Sequence, residues 1–392
     1  MINPFKFIPL PRIVFGRGKI EELPQLLSEY GFEVLLILGS ESFSKTGHLG
    51  SLQEALADCG TSFYVEQISG EPSPEAVDTI VSKYRQHNLA AVAAVGGGSV
   101  LDGGKAVSAM LCAPGSVTDY LEGVGSKNPI GKKIPFLAVP TTAGTGSEVT
   151  CNAVISEVGR NGFKKSLRHE KYMPDIAVID PALTLDCPQT LTSNCAMDAF
   201  SQLVESYLST KASPMTDDLA LGAVRRLKQS LWRICNGDSS MEDRENMSYG
   251  ACISGITLAN AGLGVIHGFA STIGGLFPIP HGVVCGTLLA AGNGATLRKL
   301  RKTADSSVGL GKYAELGRIF SDKERASESY YQDSFIRMLE EVTEEVRPDP
   351  LGKYGVGSAD LERIVSQSGC KNNPVQLEPE EMIEILAARL GE

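Results

Sequence analysis

With 392 residues the chain is long enough for two ordinary domains and a substantial apolar core, and its 42% hydrophobic composition argues against disorder or a fibre. The 46 acidic and 36 basic residues leave a formal charge of -10, which gives no general attraction to nucleic acid or to an anionic membrane. Apolar stretches such as FEVLLILG and LAAVAAVGGG are too short to span a bilayer, and the Pro-punctuated start MINPFKFIPLPRIVFG lacks the regions of a secretory leader, so a cytoplasmic location is expected.

The first half alternates short apolar runs with mixed polar segments. EVLLIL at 33–38 is followed by SLQEALADC, TSFYVE, EAVDTIVSKYRQ and LAAVAAVGGG, the rhythm of parallel strands covered by helices. IPFLAVPTT and DIAVIDP continue the sheet to about Pro181. The character then changes. SNCAMDAFSQLVESYLS, SPMTDDLALGAVRRLKQSLWRI and ENMSYGACISGITLANAGLG carry helical apolar periodicity, and SFIRMLEEVTEEV and LEPEEMIEILAARL supply later helices, Pro379 suiting a first turn. The expectation is an α/β domain with a parallel sheet over 1–186 and an all-helical domain over 187–392.

Nine cysteines stand singly, with no CxxC pair, and read as reduced packing residues; Cys195 and Cys285 lie near candidate site residues and stay open as thiol nucleophiles.

In AVAAVGGGSVLDGGKAV, Gly96, Gly97 and Gly98 end an apolar run and Ser99 onward opens a helix. Backbone N–H groups can approach an anion there, at the positive end of the helix dipole. The spacing is neither the usual dinucleotide fingerprint nor a Walker loop, and a plain tight turn is the alternative. Asp102 and Lys105 can bond a ligand, bond each other, or form a solvated pair at the helix start. In VPTTAGTGSEV, the hydroxyls of Thr141, Thr142, Thr145 and Ser147 form a row of donors that could follow a ribose, pyrophosphate or amide, or simply cap a loop. Two such segments, each after an expected strand, point to one shared ligand crevice.

Asp198 and Gln202 are four apart on an expected helix, so one ligand can meet both, although such a pair taken alone usually forms a solvated face. Glu205 lies one turn further, either as a supporting acceptor or as a surface carboxylate. His267 and His281 are two of only five histidines; each alone suits a core or cap role, but with a carboxylate and an amide they could supply one N,N,O,O cage for a metal.

In order, GGGSVLDGGKA, PTTAGTGSE, NCAMDAFSQLVES, GVIHG and IPHG resemble the iron-containing (group III) alcohol dehydrogenase family over nearly the whole chain. The resemblance implies a dehydroquinate-synthase-like architecture, a catalytic Fe²⁺ or Zn²⁺, and NAD(H)- or NADP(H)-linked interconversion of small alcohols with aldehydes or ketones. It places Asp198, Gln202, His267 and His281 at the metal positions, with His267 and Ser271 in catalytic positions, and makes a homodimer reasonable.

Two positions depart from the family pattern. Gln202 stands where a histidine is common, and its neutral oxygen is a weaker donor that should lower metal affinity. Ser271 stands where many members carry another histidine, and a serine does not titrate near neutral pH. Gly39, with Ser40, Ser42 and Lys45 after it, occupies the place where NAD-selective members often have an acidic residue; room for a 2′-phosphate favours NADP(H), although Glu41 opposes this. Three further readings stay open: metal-free carbonyl reduction by imidazole hydrogen bonds, a maleylacetate-reductase-like activity in which Lys164, Lys165 and Arg168 meet an anionic substrate, and non-catalytic nucleotide binding.

Overall fold

The computed structural model describes residues 4–39, 43 and 47–391. Its chain divides into two compact units. One comprises Ile8–Glu157 and Lys164–Pro188; the other runs from Gln189 onward and includes Val158–Phe163 and the segment ending at Phe7.

The first unit is built on a six-stranded sheet of β1 (Arg12–Phe15), β2 (Glu33–Leu38), β3 (Ser62–Gln67), β4 (Ala91–Gly96), β5 (Phe136–Pro140) and β8 (Ile176–Ile179), with β6 (Asn152–Glu157) and β7 (Phe163–Arg168) in a separate two-stranded sheet. All pairs in the large sheet are parallel, in the order β1-β8-β5-β4-β2-β3. Parallel strands covered on both faces bury both sets of side chains, which explains why β2, β4 and β5 read as unbroken apolar runs. The covering helices include α1 (Leu23–Ser28), α2 (His48–Asp58), α3 (Pro74–Tyr84) and α4 (Gly98–Met110). Ser73 caps α3 by accepting from Ala76 N (3.1 Å), and Pro74 takes the first turn, where its missing N–H costs nothing.

Strand β2 has β3 on one side and β4 on the other, so the chain reverses its direction of travel across the sheet between β3 and β4. In open parallel sheets the carboxyl ends of strands at such a reversal form a ligand crevice. Gly39, Gly97–Gly98 and the 141–147 loop follow three adjacent strands, β2, β4 and β5.

The second unit is helical: α5 (Gln189–Leu208), α6 (Pro214–Cys235), α7 (Met241–Ala261), α8 (Val265–Leu276), α9 (His281–Leu300), α10 (Ser307–Phe320), α11 (Glu328–Val346), α12 (Leu361–Gln367) and α13 (Pro379–Ala387). Helix α5 is its axis, buried along nearly all of 196–208 and packed against α6, α7 and α9. Ser213 and Ser240 set the starts of α6 and α7 through capping boxes. Helices α7 and α8 meet at a 97° bend at the break Gly262–Gly264. No single described helix is long and apolar enough to cross a membrane.

Candidate active site

The burial of α5 puts Asp198 in the interior of the helical unit, at 2% exposure, where a carboxylate is tolerated only with partners. Two imidazoles supply them. His267, in the first turn of α8, brings Nε2 to 3.2 Å from Asp198 Oδ1, and His281, the first residue of α9, brings Nε2 to 3.6 Å from the same oxygen. Gly282 permits this approach, because a Cβ there would collide with the Asn194 carbonyl on α5. Cys285, one turn along α9 from His281, places Sγ 3.6 Å from His267 Nε2 and 3.8 Å from His281 Nε2. The donor atoms of Asp198, His267, His281 and Cys285 all lie within 4.8 Å of one another.

Glu205 supports this cluster from α5. Its Oε2 faces His267 Nδ1 at 2.6 Å and accepts from His267 N (3.3 Å), while Oε1 accepts from Ile266 N (2.7 Å). A carboxylate thus satisfies two N–H groups at the start of α8 and meets the positive end of its dipole. With Glu205 accepting from Nδ1–H, Nε2 is the ring nitrogen that faces the cluster and that a metal would bind once its proton is displaced, the arrangement common behind metal-bound histidines.

The electrostatics follow from this crowding. Burial pushes the Asp198 carboxyl up, but the charges of His281 and His267 and the hydrogen bond from His267 outweigh it and hold the group at about 2. Burial opposes a charged His267, yet Cys285, Asp198 and Glu205 together raise its pKa well above the ordinary imidazole value. Burial pushes the Cys285 thiol up to about 12, against a smaller opposite pull from His267.

Gln202 is buried one turn beyond Asp198, and its Oε1 accepts from Ser254 Oγ on α7 at 2.8 Å. Ser271, one turn beyond His267, donates to the His267 carbonyl (2.8 Å) and receives Lys371 Nζ at 3.2 Å; Lys371 also donates to the His267 carbonyl (2.9 Å). A lysine from the 371–373 segment therefore stands beside the serine that replaces an expected imidazole.

In the sheet unit, α4 starts at Gly98 with Gly97 extended before it, and a Cβ on Gly98 would lie 2.5 Å from Thr145 Oγ1. Thr141 N donates to the Gly96 carbonyl (2.9 Å), so the two glycine-rich segments sit side by side, with Gly97, Gly98, Ser99, Thr141, Thr142 and Thr145 partly exposed. Gly39 adjoins the same helix: a Cβ on it would be 3.5 Å from Val100. Ser40, Glu41, Ser42 and Lys45 lie outside the described residues.

The solvated Asp102–Lys105 pair is not what forms. Lys105 is 1% exposed and donates to Ser147 O (2.9 Å), Ser147 Oγ (3.2 Å), Thr150 Oγ1 (3.1 Å) and Asn152 O (2.7 Å), 3.7 Å from Asp102. Asp102 accepts from Ser147 Oγ and from Val154 N (2.9 Å), so both of its oxygens are engaged within the protein. These two residues pin the 141–147 loop to α4. Lys164 and Arg168 pair with Glu71 (3.0 Å) and Glu122 (2.8 Å), which argues against an anion-binding role.

Sequence reasoning missed Cys285 as part of the cluster. The signal was the His281/Cys285 spacing of four, visible only once His281 is known to begin a helix.

Comparison with known proteins gives the same organisation. Residues 11–181 match the iron-containing alcohol dehydrogenase pattern, and residues 192–390 match the C-terminal part of the Fe-containing alcohol dehydrogenase family. The chain is 31% identical over 387 residues to an NADPH-dependent butanol dehydrogenase of Clostridium saccharobutylicum, covering 96% of each. It is 32% identical over 279 residues to an NAD-dependent methanol dehydrogenase of Bacillus methanolicus, covering 71% of this chain and 72% of that one. An alcohol dehydrogenase structure from Oenococcus oeni superposes with a TM-score of 0.87 at 26% identity, covering 98% of this chain and 100% of that one.

Proposed function

This chain belongs to the iron-containing alcohol dehydrogenase family, and from that premise we propose that it reduces small aldehydes or ketones with NADPH in preference to NADH, at a metal held by Asp198, His267 and His281. It is an NAD(P)-dependent oxidoreductase acting on CH–OH groups, with a small alcohol or carbonyl compound as substrate.

The observation that carries the metal reading is the convergence of one buried carboxylate oxygen and two imidazole Nε2 atoms, with Glu205 behind the His267 ring. That donor set fits Fe²⁺ or Zn²⁺. Such an ion supplies Lewis-acid polarisation of the carbonyl oxygen, and the reduced nicotinamide supplies the hydride. The protein's own part is positional. Glu205 holds the His267 ring so that Nε2 faces the cluster, and the Lys105 and Asp102 contacts hold the donor loop beside Gly97 and Gly98, where helix α4 presents its N–H groups to a pyrophosphate. Gln202, whose oxygen is turned to Ser254, contributes weakly or not at all to metal affinity.

NADP(H) is favoured by Gly39 just after β2, a glycine where NAD-selective members often carry an acidic residue. A homodimer is the proposed assembly and a cytoplasmic setting the proposed location, both by analogy with the family; light scattering tests the first.

The deciding experiment is anaerobic NADPH and NADH oxidation across small aldehydes and ketones, comparing metal-stripped protein with protein reconstituted with Fe²⁺ or Zn²⁺. Activity restored by metal and higher with NADPH is expected. Equal activity in stripped protein would move catalysis to imidazole hydrogen bonds, higher efficiency with NADH would overturn the coenzyme assignment, and tight nucleotide binding without turnover would leave a binding protein.

A further inference from the structure

We propose that Cys285, and not Gln202, is the fourth protein ligand of the metal site. The inference rests on the metal reading above and concerns which atoms complete the site.

Tetrahedral coordination sets the spacing of ligand atoms. With metal–nitrogen and metal–oxygen bonds of about 2.0–2.2 Å and a metal–sulfur bond of about 2.3 Å, nitrogen and oxygen ligands stand about 3.4 Å apart and sulfur and nitrogen ligands about 3.6 Å apart. The cluster has Asp198 Oδ1 at 3.2 and 3.6 Å from the two Nε2 atoms, and Cys285 Sγ at 3.6 and 3.8 Å from the same two. These four separations match tetrahedral edges, and the other two, between the imidazole nitrogens and between Asp198 and Cys285, are within 4.8 Å. Gln202 Oε1, by contrast, has its partner in Ser254 Oγ on α7 at 2.8 Å.

The helices explain the exchange. A ligand set of two residues from α5 and one each from α8 and α9 becomes one from α5, one from α8 and two from α9, because His281 and Cys285 share a face of α9 four residues apart. Cys285 is fully buried, whereas the His281 side chain is 22% exposed, so the sulfur occupies the inner corner and the open side of the site lies at His281.

Binding exchanges the thiol proton for the metal: the S–H bond breaks, a sulfur–metal bond forms, the proton leaves to solvent, and no oxidation state changes. A thiolate in place of a neutral amide oxygen shifts preference from hard ions toward Zn²⁺ and Co²⁺.

Full-length protein loaded with Co²⁺ provides a readout independent of turnover. The wild type should bind one Co²⁺ per chain and show the near-ultraviolet sulfur-to-cobalt charge-transfer band; X-ray absorption of the Zn²⁺ form should show one sulfur at about 2.3 Å. Cys285→Ser should lose the band and bind at least roughly tenfold more weakly, while Gln202→Leu should keep both band and affinity. A wild-type Co²⁺ complex without the band, or loss of metal in Gln202→Leu but not in Cys285→Ser, overturns the assignment while leaving the metal site standing. Failure of the wild type to bind either metal overturns both. The wild-type spectrum decides the matter even if a variant does not fold.

Discussion

Replacing Glu205 by glutamine removes one charge with almost no change of volume, and the geometry fixes what must follow. The carboxylate serves three donors: Ile266 N–H through Oε1 at 2.7 Å, and His267 N–H and Nδ1 through Oε2 at 3.3 and 2.6 Å. A glutamine can keep its oxygen on Ile266 N–H only by turning its NH₂ group toward His267 Nδ1. That nitrogen must then accept, which moves the ring proton to Nε2, the atom facing Asp198 and Cys285. A protonated Nε2 has no lone pair for a metal. Loss of such a supporting partner costs about 10–100-fold in metal affinity, which corresponds to about 1.4–2.7 kcal/mol. The metal-free protein should also lose about 1.5–3 kcal/mol of stability with a charge-assisted hydrogen bond. Chelator-competition titrations with Zn²⁺ or Co²⁺, run beside urea unfolding of the metal-free form, measure both. A folded Glu205→Gln protein with wild-type metal affinity would refute the claim that Glu205 sets the His267 tautomer.

The loop and helix of the sheet unit offer further tests. Lys105→Met leaves the half-buried Asp102 without its ammonium and frees the Ser147 and Asn152 carbonyls, so unfolding should become easier by about 2–4 kcal/mol and NAD(P)H should bind more weakly by fluorescence titration; a change under about 1 kcal/mol with unaltered coenzyme affinity would sink the pinning role. Gly98→Ala puts a methyl 2.5 Å from Thr145 Oγ1, an overlap of about 1–3 kcal/mol that should weaken coenzyme binding roughly tenfold; calorimetric titration showing wild-type affinity would mean that the loop yields freely. Glu148 is buried, and despite its own N–H and the nearby Lys105 its carboxyl is raised from 4.5 to about 7. The folded state therefore holds this proton longer than the unfolded one: stability is full below about pH 4.5, falls as pH rises toward about 7, and levels above it at a loss of about 3 kcal/mol. Glu148→Gln should flatten that part of the profile, and an unchanged difference in melting temperature between pH 5 and pH 8 would count against it.

Much of the fold was legible because parallel strands and their covering helices leave local signatures. The run 33–38 forms a strand over Glu33–Leu38, and Pro379 opens the last helix after Glu378. Helices α8 and α9 left a weaker trace, since each starts beside Gly or Pro, yet they carry both histidines of the cluster. The two-stranded β6–β7 sheet was hidden because β7 carries three basic residues in six, and Val158–Phe163, the connection between the strands with the first residue of β7, belongs with the helical unit by its contacts.

The sequence by itself determined the α/β-then-helical order, the two donor loops and the family, because periodicity and ordered motifs are properties of neighbouring residues. Tertiary structure alone decided that Lys105 is buried, that Glu205 stands behind His267, that Lys371 meets Ser271, that Cys285 Sγ faces both histidines, and that the Gln202 oxygen accepts from Ser254. Each of the first three joins residues at least 42 positions apart. Such meetings depend on how helices pack and on which face each turns inward, and a spacing along the chain encodes only which residues can share a face, not what that face will meet.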